Sequence, residues 1–192
     1  MFDIVASTDI MIKEFGVHVN YVGILELAIY STCCNQVSYA GVKRHPTGWM
    51  LAGQTDVVGK GSGVATALTA GTFDPICITS SFGSKGFYLT ATEGQYIVQT
   101  PGGEGYATGQ VYKSNEDISV LVGIGKRYYL LQDQDNMIFN GNIRYSIFES
   151  DRAGDGGIGS KVSSSDVTVV DNTYYALLIF GCTLSLLTMT TV

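Results

Sequence analysis

The residues that could do chemistry are few and lie in no recognisable catalytic motif. A Ser–His–Asp triad needs a histidine beside a nucleophile and a carboxylate. The chain has only His18 and His45, and no G-x-S-x-G turn. Glu149 and Asp151 would share one side of a strand and could act as acid and base of a small cell-wall hydrolase. A polar strand end explains this pair equally, and we predict that the protein is not an enzyme.

Two glycine-rich segments partly match nucleotide-binding motifs. Gly53–Lys60 is one residue too long for a phosphate-binding loop, and Gly61 follows where Ser or Thr should bind Mg²⁺. Gly154–Gly159 reads G-x-G-x-x-G, but a β-like segment follows it instead of the required helix. The sequence therefore predicts no nucleotide cofactor.

Acidic residues offer no standard metal site. Asp133, Asp135 and Asn136 lack the glycine and the distal glutamate of an EF-hand loop. Asp151 and Asp155 could form an irregular cation site, although a solvated loop explains them as well. We predict no bound metal.

The four cysteines form no C-x-x-C pair. Neighbouring cysteines do not readily bridge to each other, and a zinc site needs a second pair. We predict that all four are reduced and that the protein assembles inside a cell. They are Cys33, Cys34, Cys77 and Cys182.

Charge and hydropathy argue against nucleic acid and membrane as partners. The net charge is −6 and the 11 basic residues are scattered, whereas nucleic-acid surfaces cluster Lys and Arg. The uncharged stretch 174–192 has nearly the length of a membrane span. It is rich in Thr, contains Gly181 and lacks basic anchors, so we predict two buried strands there and keep a tail anchor as the alternative.

The composition predicts many short strands joined by tight turns. Glycine accounts for 24 of 192 residues, and Tyr, Thr and Val are plentiful. Ile118, Val120, Val122 and Ile124 alternate along one strand face. Asn140-Gly141 between apolar runs predicts a type I′ hairpin. We expect a mainly β fold of small sandwich or barrel units.

Changes in the residue pattern along the chain predict three segments. Residues 1–63 show no period and predict an irregular N-terminal docking arm, although a short helix or buried strand is possible near Ile24, Leu27 and Ala28. Residues 64–132 predict a small barrel or sandwich. Residues 133–192 predict a second β unit packing on the first or on neighbouring copies.

A few large side chains are candidates for interfaces. Trp49 is either a core anchor or an interface contact, and Tyr106 lies in a glycine-rich loop where an exposed aromatic could stack on a glycan. The remaining candidates are in the apolar C-terminal stretch, where an axis shared between copies would suit them. They are Tyr174, Tyr175, Leu184 and Leu186.

The segment Gly86–Gly125 resembles a small β module of tailed-phage virion proteins. The residues that carry the resemblance are Tyr88-Leu89-Thr90, Gly94, Pro101, Gly109-Gln110-Val111 and Val120–Ile124. The C-terminal strands also resemble those of phage fibre modules.

The resemblance implies a virion structural protein without catalytic residues: a capsid decoration protein, a head fibre or a tail component. It implies a homo-oligomer, with a trimer favoured, and contacts with the major capsid protein or other virion proteins. Assembly would occur in the host cytoplasm. A glycan-recognising tail-fibre module is the alternative.

Overall fold

The computed structural model describes residues 1–33, 37–69, 71–92, 97–102, 105–127, 130–147 and 163–169. Within them lie fourteen β-strands and two short 3₁₀ turns, Tyr39–Gly41 and Pro46–Gly48. The predicted mainly β fold is thereby confirmed. The strands are β1 (Phe2–Ala6), β2 (Ile10–Val17), β3 (Val22–Thr32), β4 (Trp49–Lys60), β5 (Thr66–Leu68), β6 (Ile76–Ile78), β7 (Ser84–Ala91), β8 (Gln99–Pro101), β9 (Val111–Ser114), β10 (Ile118–Leu121), β11 (Gly123–Arg127), β12 (Leu131–Phe139), β13 (Gly141–Ile147) and β14 (Ser163–Val169).

The strands form three antiparallel sheets. The largest has six strands in the order β4-β3-β7-β1-β10-β9. A second has five strands, with β14-β13-β2-β5 in line and β6 paired beside β5 on β2. A third joins β11, β12 and β8. The architecture is therefore sandwich-like, with one long sheet facing a shorter one.

The core lies between the two larger sheets. The inner face of the six-stranded sheet contributes Leu27, Ile29 and Phe87, and the five-stranded sheet contributes Phe15 and Ile143, all at most 1% exposed. The rings of Phe15 and Phe87 lie 5.4 Å apart, which joins the layers directly. The predicted alternation is confirmed for Ile118, Val120 and Val122, which are buried in this core, but Ile124 lies in the separate strand β11 and is buried in a second cluster.

The prediction of an irregular arm over residues 1–63 is wrong, since β1 to β4 lie there. The pairing of β2 with β13 shifts register between Arg144 and Tyr145, so a bulge interrupts the alternation that would have marked β2 as a strand. β3 carries apolar side chains on both faces, with Glu26 as the exception on the outer one, and therefore shows no clear period of two. Strand β1 pairs with β7 and β10, and β2 with β13. The three predicted segments thus contribute strands to shared sheets.

The predicted hairpin at Asn140-Gly141 is also wrong. The strands on either side belong to different sheets, and the chain crosses between them at Asn140. The buried Asn140 amide donates to Thr100 Oγ1. A Cβ at Gly141 would lie 1.9 Å from the carbonyl oxygen of Gly16, so glycine is required here by close backbone approach. Neither residue has the positive φ that a type I′ turn needs.

Candidate functional site: an uncovered apolar patch

The histidines do not come together with a nucleophile and a carboxylate. His18 is buried, and its Nδ1 lies 2.7 Å from the carbonyl oxygen of Ser62. His45 precedes the second 3₁₀ turn, where its backbone bonds to Val42 and Gly48. Within the described ranges, no three His, Cys, Asp or Glu side chains gather where they could hold a metal ion.

The other sequence motifs give no site in the described residues. Gly53–Lys60 lies in the extended strand β4 and forms no loop around a phosphate. Asn136 Oδ1 accepts hydrogen bonds from the backbone N–H and the hydroxyl of Thr108, both at 2.9 Å, so it is engaged within the fold. Several predicted residues fall outside the described ranges: Glu149, Asp151, 154–159, Tyr174, Tyr175, Leu184 and Leu186.

Trp49 is buried on the outer face of the six-stranded sheet, the face turned away from the main core. Its indole Nε1 donates to the carbonyl oxygen of Val42 at 3.0 Å, and its ring lies 5.9 Å from that of Tyr88. Met1, Tyr39 and Ile124 are among the residues of the same second cluster. The contacts are those of a core anchor, formed where residues 37–48 fold back over the sheet.

Asp3 fastens this covering segment to the sheet. Its carboxylate accepts hydrogen bonds from Ser38 Oγ at 2.6 Å and from the backbone N–H of Tyr39 at 3.0 Å. Burial raises the pKa of Asp3, while the two hydrogen bonds and the nearby N-terminal amine act in the opposite direction. A buried carboxylate held by two donors fixes the position of the segment.

The other end of the same outer face is uncovered. Val22, Ile24 and Val58 are 77%, 73% and 65% exposed. Ile24 and Val58 are directly paired across β3 and β4, and Val22 lies two residues from Ile24 on the same face. We call these three residues the outer apolar patch. A contiguous exposed group of large aliphatic side chains marks an interaction surface more often than scattered ones do.

Opposite charges flank the outer apolar patch along the strand direction. Lys60 is paired with Val22 at one end, and Asp56 is paired with Glu26 at the other. The Glu26 carboxylate accepts from Thr92 Oγ1 at 2.6 Å. This hydrogen bond, followed by one from Gln54, lowers the pKa of Glu26. The patch therefore has a basic end and an acidic end.

The lateral edge of β4 is less accessible than its face. β4 is the last strand of its sheet. However, the backbone N–H of Lys60 donates to Thr66 Oγ1 at 3.2 Å, and the carbonyl of Ala52 accepts from Asp74 N–H at 3.0 Å. The chain after β4 thus closes both ends of the edge, and the uncovered surface is the outer face.

Tyr106 is 40% exposed, as a glycan-stacking residue would be. Its ring meets that of Tyr112 edge-on, with the centroids 5.4 Å apart. The loop's Ala107 N–H is bound by the side chain of Gln110. Tyr106 is therefore partly exposed, while the Ala107 N–H and the Gln110 side chain bond to each other.

No protein-family model, curated protein or solved structure matches the chain. The resemblance of Gly86–Gly125 to phage virion modules therefore stays a prediction. No helix in the described ranges is long and apolar enough to cross a bilayer.

The sequence reasoning did not identify the outer apolar patch. The available signal was that the segment VGILELAIY carries apolar side chains on both strand faces, interrupted only by Glu26. Such a strand needs cover on both sides, and the chain covers only part of the outer one.

Proposed function

We propose that the protein is a non-catalytic structural component of a larger assembly, and that this assembly is a tailed-phage virion. The observation that carries the proposal is the outer apolar patch, which lies on a regular sheet and is left uncovered by the residues that the structure describes. Burying one aliphatic side chain is worth about 1.5–3 kcal/mol, so contact with another surface is favourable. A patch of this kind suits a protein that works by making contacts.

The virion setting rests on the sequence resemblance of Gly86–Gly125. Within that setting a capsid decoration protein or head fibre is the first choice, as a homo-oligomer in contact with the major capsid protein. The negative net charge supports a protein partner and not a nucleic acid. Tyr174, Tyr175, Leu184 and Leu186 remain proposed interface residues.

The first experiment measures assembly directly. Native mass spectrometry and light scattering of the purified chain are expected to show an oligomer, and co-sedimentation with phage particles is expected to show binding. A chain that stays monomeric at every concentration and binds no particle would overturn the proposal.

Tyr106 is the observation that favours the alternative, a glycan-recognising module. A glycan array that gives a hit with wild type and loses it in Tyr106→Ala would favour recognition. The structural proposal expects no hit with either protein.

A further inference from the structure

We propose that the outer apolar patch is a contact between two copies of this chain, packed face to face with their β3–β4 strands antiparallel. The inference rests on the proposed structural function and specifies its partner. The contact would be isologous, because both copies would use the same residues around a twofold axis at the Ile24–Val58 pair.

The charges at the ends of the patch favour this arrangement. Lys60 and Asp56 lie on opposite sides of Val58 on one strand face, each about 7 Å away at the rise of an antiparallel strand. A twofold axis that reverses the strand direction therefore places Lys60 of each copy over the acidic end of the other. Ile24 and Val58 would meet their counterparts at the axis, and Val22 of each copy would lie over the Glu26 end of the other, beside the ion pair.

The same charges disfavour the competing arrangement. If the two copies packed with parallel strands around the same position, the acidic end of one copy, with Glu26 and Asp56, would lie over the acidic end of the other. Like charges held together across an interface are costly and suppress the wrong register. The patch thus specifies orientation as well as contact.

The acidic end shows why a second copy is a suitable occupant. Glu26 and Asp56 are directly opposite each other on neighbouring strands, and like charges in that position destabilise a sheet. Thr92 and Gln54 relieve Glu26 only through hydrogen bonds. A lysine from a second copy would supply the missing positive charge.

The patch is too small to form a tight dimer alone. Stable interfaces bury about 800 Å² per partner, which three side chains and their charged rim do not reach. We therefore expect weak, concentration-dependent self-association, which becomes strong when many copies are held side by side on one particle.

The test uses the full chain in sedimentation velocity over a concentration series. Val58→Thr keeps the β-branched shape and is expected to weaken self-association about tenfold, since a hydroxyl replaces an apolar contact. Val111→Thr is the matched control, because Val111 is 52% exposed on β9, the opposite edge of the same sheet. The control is expected to associate as wild type does.

Charge reversal tests the orientation. Lys60→Asp alone gives each copy two acidic ends and is expected to abolish association at low salt. The double variant Lys60→Asp/Asp56→Lys is expected to restore part of it, because positions 60 and 56 that face each other are again opposite in sign, while the remaining Glu26 offsets some of the gain. Added salt should weaken the wild-type contact, since exposed ion pairs are screened within about 8 Å at physiological ionic strength.

The outcomes separate this inference from the proposed function. Oligomers that are indifferent to Val58→Thr and to both charge variants would overturn the patch contact and leave the structural function in place. The same holds for a chain that is monomeric in solution but binds a particle. A chain that neither self-associates nor binds a particle would overturn both.

Discussion

The two ends of the outer face of β3 and β4 have similar chemistry but different cover. At one end, Trp49 and Tyr88 are buried beneath residues 37–48. At the other end, Val22, Ile24 and Val58 are exposed. Both ends are apolar, so hydrophobicity alone does not distinguish them.

The difference lies in what the chain can reach. The loop between β3 and β4 returns over the end where it starts, and Asp3 holds it there through Ser38 and Tyr39. Nothing in the described part of the chain returns over the other end. Burial at the covered end therefore stabilises the folded monomer. The exposed end can stabilise only a complex, because its side chains are buried only when a partner binds.

Removing Trp49, the core anchor of the covered end, should have the largest effect on the free energy of unfolding. Trp49→Ala is expected to lower the free energy of unfolding by about 3–5 kcal/mol, as for other buried large-to-small changes. The change also leaves the carbonyl of Val42 without its indole donor. Urea unfolding followed by circular dichroism measures the loss. A cost below about 1 kcal/mol would contradict the core position of Trp49.

Adding a methyl group beneath the covering segment should have the next largest effect on the free energy of unfolding. A Cβ at Gly86 would lie 2.5 Å from the backbone nitrogen of Tyr39 and 2.7 Å from Thr32 Cγ2. Gly86→Ala is therefore expected to cost about 1–3 kcal/mol, the range for overpacking.

Gly63→Ala is its control. A Cβ at Gly63 would have no neighbour within 4 Å, and its φ is compatible with alanine. We expect a change smaller than about 1 kcal/mol of either sign. Equal losses in the two variants would show that the covering segment does not press on Gly86.

Replacing Asp3, which holds residues 37–48 on the sheet, should have a smaller effect on the free energy of unfolding, and this effect should depend on pH. Burial raises the pKa of Asp3 above its unfolded value of 3.8. The folded state thus favours the protonated carboxyl. The stability that this preference contributes is lost as the pH rises through the folded pKa. The stability of wild type relative to Asp3→Asn should decrease as the pH rises from about 4 to about 7.

Paired urea titrations of wild type and Asp3→Asn at each pH measure this trend. The Met1 amine, whose pKa burial lowers to about 5, titrates in the same range. The charge of Asp3 raises the pKa of this amine, so Asp3→Asn changes the titration of the amine as well. The difference between the two proteins therefore reports the coupled pair, and it is the quantity to follow. A difference that grows with pH would contradict the assignment.

Changing the bare end should barely affect the monomer. Val58→Thr exposes no new surface in the isolated chain and keeps a strand-forming residue, so we expect a change within about 0.5 kcal/mol. Unfolding is measured at a dilution where self-association is negligible. A loss comparable to that of Trp49→Ala would mean that Val58 already packs within its own chain.

Sequence reasoning found the regular strands and missed the irregular ones. The alternation of Ile118, Val120 and Val122 predicted an inward face, and all three are buried. It missed β2, because a bulge breaks the period. It misread Asn140-Gly141, because a close contact with Gly16 requires the same glycine that a turn would.

The candidate site could not be read from the sequence for a similar reason. Ile24 is exposed and Tyr30 packs on the Trp49 cluster, although both lie on the outer face of β3. Only the path of residues 37–48 in space decides which part of that face is covered, and a local pattern does not contain that path.

The position of β1 has a consequence for how the chain folds during synthesis. β1 lies in the middle of the six-stranded sheet, between β7 and β10, with Ile4 opposite Val120. β1 is synthesised well before β7 and β10, so it has to wait for both of its neighbours. Contacts so distant in sequence slow folding and leave strand edges open in the interval. In this protein, a central strand of the largest sheet is made before the strands that flank it.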